Sequence, residues 1–257
     1  MSTRGDDIEK AASIKQVLLD EWRDTMGEDR HDRTRLLFPN GAVERLQTAT
    51  VLIVGLGGVG SWAVEALARA GVGHLILIDF DSITPSNLNR QLYALESTVG
   101  QAKCDVALSR VQDINPAIEV TCLREHLMPG DAAFLLDRCG RLDYIVDAID
   151  SIEAKIDLIT TATERGIPII SSMGTGNRLD PSSLRVVDLS ETHNDPFTRC
   201  IRQRLRKRSI EHLKVIFSEQ LPVKPQNDSS GVIGSTPIVP PIAGFLIAWQ
   251  VIQDLGF

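Results

Sequence analysis

The run Thr50-Val-Leu-Ile-Val-Gly55 leads straight into Gly55-Leu-Gly57-Gly58-Val-Gly60, and from there into the helical stretch Ser61 to Ala70. No other part of the chain restricts the fold as much. A strand that is apolar at every position has to be covered on both faces, and this is the situation of a parallel sheet flanked by helices. The pattern repeats downstream. His74 to Asp79 reads as a second buried strand, and Ile118 to Leu123, Asp143 to Ala148 and Pro168 to Ser172 as further strands. Helices are expected between them at Lys103 to Ile114, stopped by Asn115-Pro116, at Ala132 to Arg138 and at Glu153 to Arg165. The alternation predicts an α/β, Rossmann-like fold: a mostly parallel sheet with helices on both faces.

The rhythm changes after Gly176. Leu184 to Leu189 and Leu213 to Phe217 read as strands, Pro196 to Arg208 as a basic helix, and the end of the chain as a buried helix with Pro241 in its first turn. This gives a smaller C-terminal β/α extension. Helical spacing of Ile8, Ala11, Ile14, Val17, Leu18 and Trp22 predicts a helix over residues 7–29, and Leu221 to Gly234 reads as a loop. The expected organisation is an N-terminal segment 1–48, a core 49–176 and an extension 177–257.

A net charge of -7 excludes a global positive field, so any contact with nucleic acid has to come from a local basic patch. Met1 to Asp7 has no apolar signal region, and the four scattered cysteines include no CxxC pair. Both features fit a reducing cytoplasm and no paired-cysteine zinc. Ser229 to Gln253 carries no charge, but Pro237, Pro240 and Pro241 interrupt it, so no membrane insertion is expected.

Gly55, Gly57, Gly58 and Gly60 satisfy G-x-G-x-x-G between a strand and a helix. There a glycine backbone approaches phosphates and the helix start favours anions. Asp79 lies about twenty residues on, at the end of the second strand, where a carboxylate can accept ribose hydroxyls. These features specify an adenine nucleotide and leave ATP and NAD open. Asn87, Arg90 and Lys103 follow in Ser86-Asn-Leu-Asn-Arg-Gln91 and Val99-Gly-Gln-Ala-Lys103. Cations there suit triphosphate chemistry, in which charge builds on the α-phosphate and the departing pyrophosphate. Hydride transfer calls for an apolar nicotinamide slot instead. Asp150, after Ile145-Val-Asp-Ala-Ile, has two readings: a Mg²⁺ ligand, or with Glu153 a capping box. Asp147 reads as buried and structural.

Taken together, Gly-Leu-Gly-Gly-Val-Gly, Asp79-Phe-Asp81, Ser86-Asn-Leu-Asn-Arg90-Gln, Val-Gly-Gln-Ala-Lys103 and Asp147-Ala-Ile-Asp150 resemble the E1-like (ThiF/MoeB/HesA) superfamily over roughly Arg30 to Ser172. The resemblance implies ATP and Mg²⁺. Asp79 would bind the ribose, Asn87, Arg90 and Lys103 the phosphates and Asp150 the metal, with Asp81 also in the ATP site. Arg30-His-Asp-Arg33 is similar to the N-terminal motif whose second arginine reaches the partner subunit's ATP, which implies a homodimer and adds Arg33 to a catalytic set of Arg33, Arg90, Lys103 and Asp150.

Two branches share this nucleotide site. Activators of ubiquitin-like sulfur carriers usually carry two CxxC pairs, which this chain lacks. The stretch Asp195 to Arg208, His212 to Ser218, Gly234-Ser and Val239-Pro-Pro-Ile-Ala-Gly244 instead resemble the tRNA threonylcarbamoyladenosine dehydratase branch. That branch activates the threonyl carboxylate of the modified adenosine and closes a ring. The resemblance implies tRNA as partner and admits a sulfur-relay protein. Arg199, Arg202, Arg206 and Lys207 on the basic helix are the expected tRNA contacts, the three arginines at i, i+3 and i+7 sharing one face. Some members carry a late cysteine near the glycine-serine turn. Ser229 and Ser230 stand there in this chain, so a covalent thioester step is not expected, and Cys200 reads as structural.

Overall fold

The computed structural model describes residues 29–224 and 233–257. The helix expected over residues 7–29 therefore lies essentially outside the described residues, as does most of the expected loop. The chain divides into two compact units, Met1–Phe38 and Pro39–Phe257. In the first, helix α1 is the single turn Asp32–Arg35, with Arg33 exposed on it, and Arg35 pairs with Asp29.

The second unit begins with α2 (Ala42–Thr48) and β1 (Thr50–Val54). It continues through α3 (Gly60–Ala70), β2 (His74–Ile78), α4 (Lys103–Ile114), β3 (Glu119–Leu123), α5 (Ala132–Cys139) and β4 (Tyr144–Asp147). Then come α6 (Ile152–Glu164), β5 (Ile169–Ser172), β6 (Leu184–Asp188), α7 (Pro196–Arg206), β7 (Lys214–Ser218) and α8 (Val239–Gly256). The strands form one sheet in the order β3-β2-β1-β4-β5-β7-β6, parallel throughout except for the edge pair β6–β7. From β1 the chain runs outward through β2 and β3, then returns to place β4 on the other side of β1. The order reverses between β1 and β4. Ligands of open α/β sheets bind at this switch point, beyond the carboxyl ends of the strands.

Val51 to Val54 and Leu75 to Ile78 are buried throughout, as the uninterrupted apolar runs require. One face is covered by α2, α3, α4 and α8, the other by α5, α6 and α7. The strands β6 and β7 continue the same sheet, so residues 177–257 share its core rather than forming a separate layer.

The final helix has Pro240 and Pro241 in its first turn, where a missing N–H costs nothing. It buries Val239, Ala243, Ile247 and Val251 against α2, α3 and the sheet. Arg45 of α2 donates to the terminal Gly256 carbonyl at 3.1 Å, a cation at the negative end of the helix. Among the described residues no helix is long and apolar enough to cross a membrane.

Candidate active site

Gly55 leaves β1 with φ of 95°, and its N–H donates to the Ile78 carbonyl at 2.8 Å, tying the turn to β2. A β-carbon on Gly55 would lie 2.7 Å from the Ala148 carbonyl oxygen, and one on Gly60 would lie 1.8 Å from the Gly55 oxygen. Neither position tolerates a side chain, because the Ala148 backbone beyond β4 packs on Gly55 and the start of α3 packs on the turn at Gly60. Gly57 and Gly58 are half-exposed at its tip.

Asp79 is buried just past β2. Its Oδ2 accepts the Leu56 N–H at 2.7 Å and its Oδ1 accepts the Asp81 N–H at 2.8 Å. It thus holds the glycine turn in place, and each oxygen keeps a second lone pair for a ribose hydroxyl. Lys103, at the first position of α4, is only 4% exposed. Its Nζ lies 2.6 Å from Asp81 Oδ2 and 3.6 Å from Asp79 Oδ2. A buried ammonium held between two carboxylates beside the glycine turn is a pre-positioned cation.

Arg90 borders the other side of the turn. A β-carbon on Gly58 would meet the Arg90 Cγ at 3.2 Å, so the arginine stem lies along the glycine tip. Its Nη1 donates to the Ser86 carbonyl at 2.9 Å and to Asn89 Oδ1 at 2.8 Å, and its own carbonyl accepts from Trp62 Nε1 at 3.0 Å. The Asn87 Oδ1 accepts the Thr84 N–H at 3.1 Å, so this side chain shapes the turn that presents Arg90. Asp150 is exposed two residues beyond Ala148, whose carbonyl packs on Gly55. The capping reading of Asp150 and Glu153 is corrected here. Ser151 occupies the N-cap with no side-chain capping bond, and Glu153 pairs with Arg204. Among the described residues no group of three or more His, Cys, Asp or Glu is arranged to hold a metal ion. A lone carboxylate suits a cation that keeps most of its ligands from phosphate and water.

The basic helix α7 is capped by Asp195, whose side chain accepts the Thr198 N–H at 3.1 Å. It ends at Arg206 rather than Arg208. Ser209 takes a left-handed backbone (φ 59°) and Ile210 turns inward to bury its side chain, leaving Lys207 and Arg208 just past the last turn. Arg199, Arg206 and Lys207 are exposed. Arg202 differs from its neighbours on that face: its Nη1 donates to the Thr192 carbonyl at 2.6 Å and hydroxyl at 2.5 Å. The Arg204–Glu153 pair ties the helix to the first turn of α6, next to Asp150.

The model of the ThiF family matches residues 31–255. The chain belongs to the ThiF family. A tRNA threonylcarbamoyladenosine dehydratase of Bacillus subtilis (strain 168) is 40% identical over 238 residues, which span 87% of this chain and 93% of the relative. The protein of the same name from Escherichia coli (strain K12) is 37% identical over 222 residues, 83% of this chain and 80% of its own. The solved structure of the E. coli enzyme, TcdA, in complex with ATP matches with a TM-score of 0.81 at 32% identity, covering 92% of this chain and 95% of that one.

Two charged groups of this ThiF-family chain are not apparent from sequence. Lys155 of α6 is fully buried, its Nζ 2.7 Å from Asp147 Oδ2, 3.2 Å from Ser171 Oγ and 3.0 Å from the Ser172 carbonyl. Burial pulls its pKa below the usual lysine value, against the pull of Asp147. Asp147 also accepts the Ile149 N–H at 3.2 Å, so the pair shapes the turn that carries Asp150. Arg178 is likewise buried, beside Asp195. The one signal in the sequence is position: Lys155 falls within the apolar run Ala154, Ile156, Leu158 and Ile159.

Proposed function

We propose that this chain is an ATP-dependent tRNA threonylcarbamoyladenosine dehydratase. It adenylylates the carboxylate of N6-threonylcarbamoyladenosine in tRNA and cyclises the product. The observation that carries the reading is the match, along nearly its whole length, to the Bacillus subtilis enzyme of that name. The convergence of glycine turn, Asp79, Lys103, Arg90 and Asp150 at the sheet's switch point supports it.

The roles follow from the geometry. Asp79 accepts ribose hydroxyls while holding the glycine turn. Lys103 exchanges part of its contact with Asp81 for phosphate oxygens, and Arg90 and Asn87 meet the same phosphates. Mg²⁺, when bound with ATP, would be held by Asp150 and would screen phosphate charge. The threonyl carboxylate attacks the α-phosphorus and pyrophosphate leaves with the electron pair. The carbamoyl nitrogen or oxygen then attacks the activated carbonyl, a carbamoyl N–H gives up its proton, and AMP leaves with one of the carboxylate oxygens. The net change in the nucleoside is loss of one water, in the cytoplasm where tRNA is modified. The test is ATP–pyrophosphate exchange, expected to respond to tRNA bearing the threonylcarbamoyl group. Stimulation by a ubiquitin-like carrier tail and not by tRNA would move the protein to the sulfur-carrier branch.

The exposed cations Arg199, Arg206 and Lys207 supply the phosphate-backbone contacts, with Arg202 fixing the helix to Thr192. Neutralising Arg199, Arg206 and Lys207 together is expected to weaken tRNA binding and flatten its salt dependence. About one released counterion is lost per contact. Plots of log affinity against log salt for wild type and triple variant check this, and an unchanged slope removes the helix from the footprint.

Arg33 acts on the ATP of a partner subunit in a homodimer. Mixed dimers of Arg33→Ala and Asp150→Ala chains, each with one intact site, are expected to recover activity that neither parent has. Heterodimers confirmed by mass and still inactive would count against this role.

A further inference from the structure

Arg178 is 2% exposed, yet among the described residues its Nε and Nη1 have no hydrogen-bond partner. Its one acceptor is Asp195 Oδ1, 3.1 Å from Nη2. Asp195 offers little more, because its Oδ2 already accepts the Thr198 N–H and hydroxyl at the start of α7. Burial lowers the arginine pKa, opposed by Asp195, and an arginine stays charged across the working range. A buried cation with idle donors is costly, and native structures rarely leave such donors idle without a functional reason.

Its position suggests that reason. Arg178 follows β5 at the carboxyl edge of the sheet, the edge that carries the glycine turn, Asp79 and Asp150. The preceding Asn177 has φ of 54°, and its N–H donates to the Gly234 carbonyl at 2.8 Å while its Oδ1 accepts the Gly234 N–H at 2.7 Å. The next residue, Ser235, accepts from Asn89 Nδ2 at 3.1 Å, and Asn89 is the residue that also holds Arg90. Hydrogen bonds joined by the backbone steps Ser235–Gly234 and Asn177–Arg178 therefore connect Arg90 to Arg178, and Asp195 links Arg178 to the basic helix. Arg178 stands between the nucleotide cations and the surface proposed for tRNA.

We propose that Arg178 is a specificity residue of the acceptor site, its free N–H groups receiving one oxygen of the carboxylate that is to be adenylylated. This rests on the carboxylate-activation reading above. One oxygen is gripped while the other stays free to attack the α-phosphorus. Both donors are sealed from water, so receiving the carboxylate requires the packing around Arg178 to open. A buried guanidinium distinguishes an acid from a neutral ester far better than an exposed one does, since an ester brings no charge to the donors that Asp195 leaves idle.

The experiment compares binding of the free nucleoside N6-threonylcarbamoyladenosine with that of its methyl ester, in the presence of a non-hydrolysable ATP analogue. It uses the intact wild-type protein, Arg178→Met and Arg178→Lys. Wild type is expected to prefer the acid by roughly 10- to 100-fold, the scale of hydrogen bonds to a charged group. Arg178→Met should lose that preference and Arg178→Lys should keep part of it. The Met variant also separates ligand binding from a structural role. Arg178→Met leaves Asp195 buried with only its Thr198 bonds, so a lower melting temperature is expected, and the ATP analogue should still shift it as in wild type. A Met variant that keeps the wild-type preference, or a wild type with no preference, overturns the proposal. Acid preference in wild type without tRNA-dependent AMP formation would instead sink the tRNA reading and leave Arg178 in place as a carboxylate receptor. Where the Met variant does not fold, the folded Lys variant decides: a reduced preference for the acid upholds the proposal and an unchanged preference overturns it.

Discussion

Replacing Lys103 with alanine is expected to slow AMP formation by roughly a hundred- to a thousand-fold, the cost of removing one fixed charge from a buried transition-state site. The ammonium is held against Asp79 and Asp81 before any nucleotide arrives, so little reorganisation accompanies catalysis. Removing it also leaves two carboxylates facing incoming phosphates. Folding should suffer less, because Asp79 keeps its bonds to the Leu56 and Asp81 N–H groups. Single-turnover rates at saturating ATP, paired with melting curves, separate the two effects. A variant near the wild-type rate would take Lys103 out of the machinery. Arg90→Ala should follow the same pattern, with some loss of order in the glycine tip on which its stem lies.

The largest effect on stability is expected at Lys155, which no reaction step uses. Lys155→Met leaves Asp147 charged and fully buried, and breaking one side of a buried pair costs roughly 3–5 kcal/mol. Replacing both partners by apolar residues of similar size should recover most of the loss, because the pair's own desolvation then disappears. Denaturant unfolding of the two single variants and the double variant completes the cycle. Additive losses would mean that the two charges are not coupled. The double variant should nonetheless turn over slowly, since Asp147 also holds the Ile149 N–H in the turn leading to Asp150.

The sequence made the Rossmann-like sheet legible because its central strands are uniformly apolar and lead into residues with distinct roles, namely Gly55, Asp79 and Asp147. Gly55 and Gly60 were recognisable for the same reason that they cannot change, the close backbone approaches of Ala148 to Gly55 and of Gly55 to Gly60. The antiparallel edge pair β6–β7 could not be placed, since a five-residue strand says nothing about its direction. Helical spacing grouped Arg202 with Arg199 and Arg206, but spacing is blind to Thr192, ten residues earlier, which engages Arg202. Asp150 and Glu153 had the spacing of a capping box, and Arg204 drew Glu153 away from it across 51 positions. Lys155 and Arg178 look like surface residues in sequence, because a partner distant along the chain decides whether a charge can be buried.

The central claim, carboxylate activation on tRNA, is tested most directly by incubating purified protein with ATP, Mg²⁺ and tRNA that carries N6-threonylcarbamoyladenosine, then digesting the tRNA and weighing its nucleosides. The expected result is conversion of that nucleoside to a species lighter by one water, with one AMP and one pyrophosphate formed per conversion. An unchanged nucleoside alongside AMP attached to the C-terminus of a carrier protein would contradict the account.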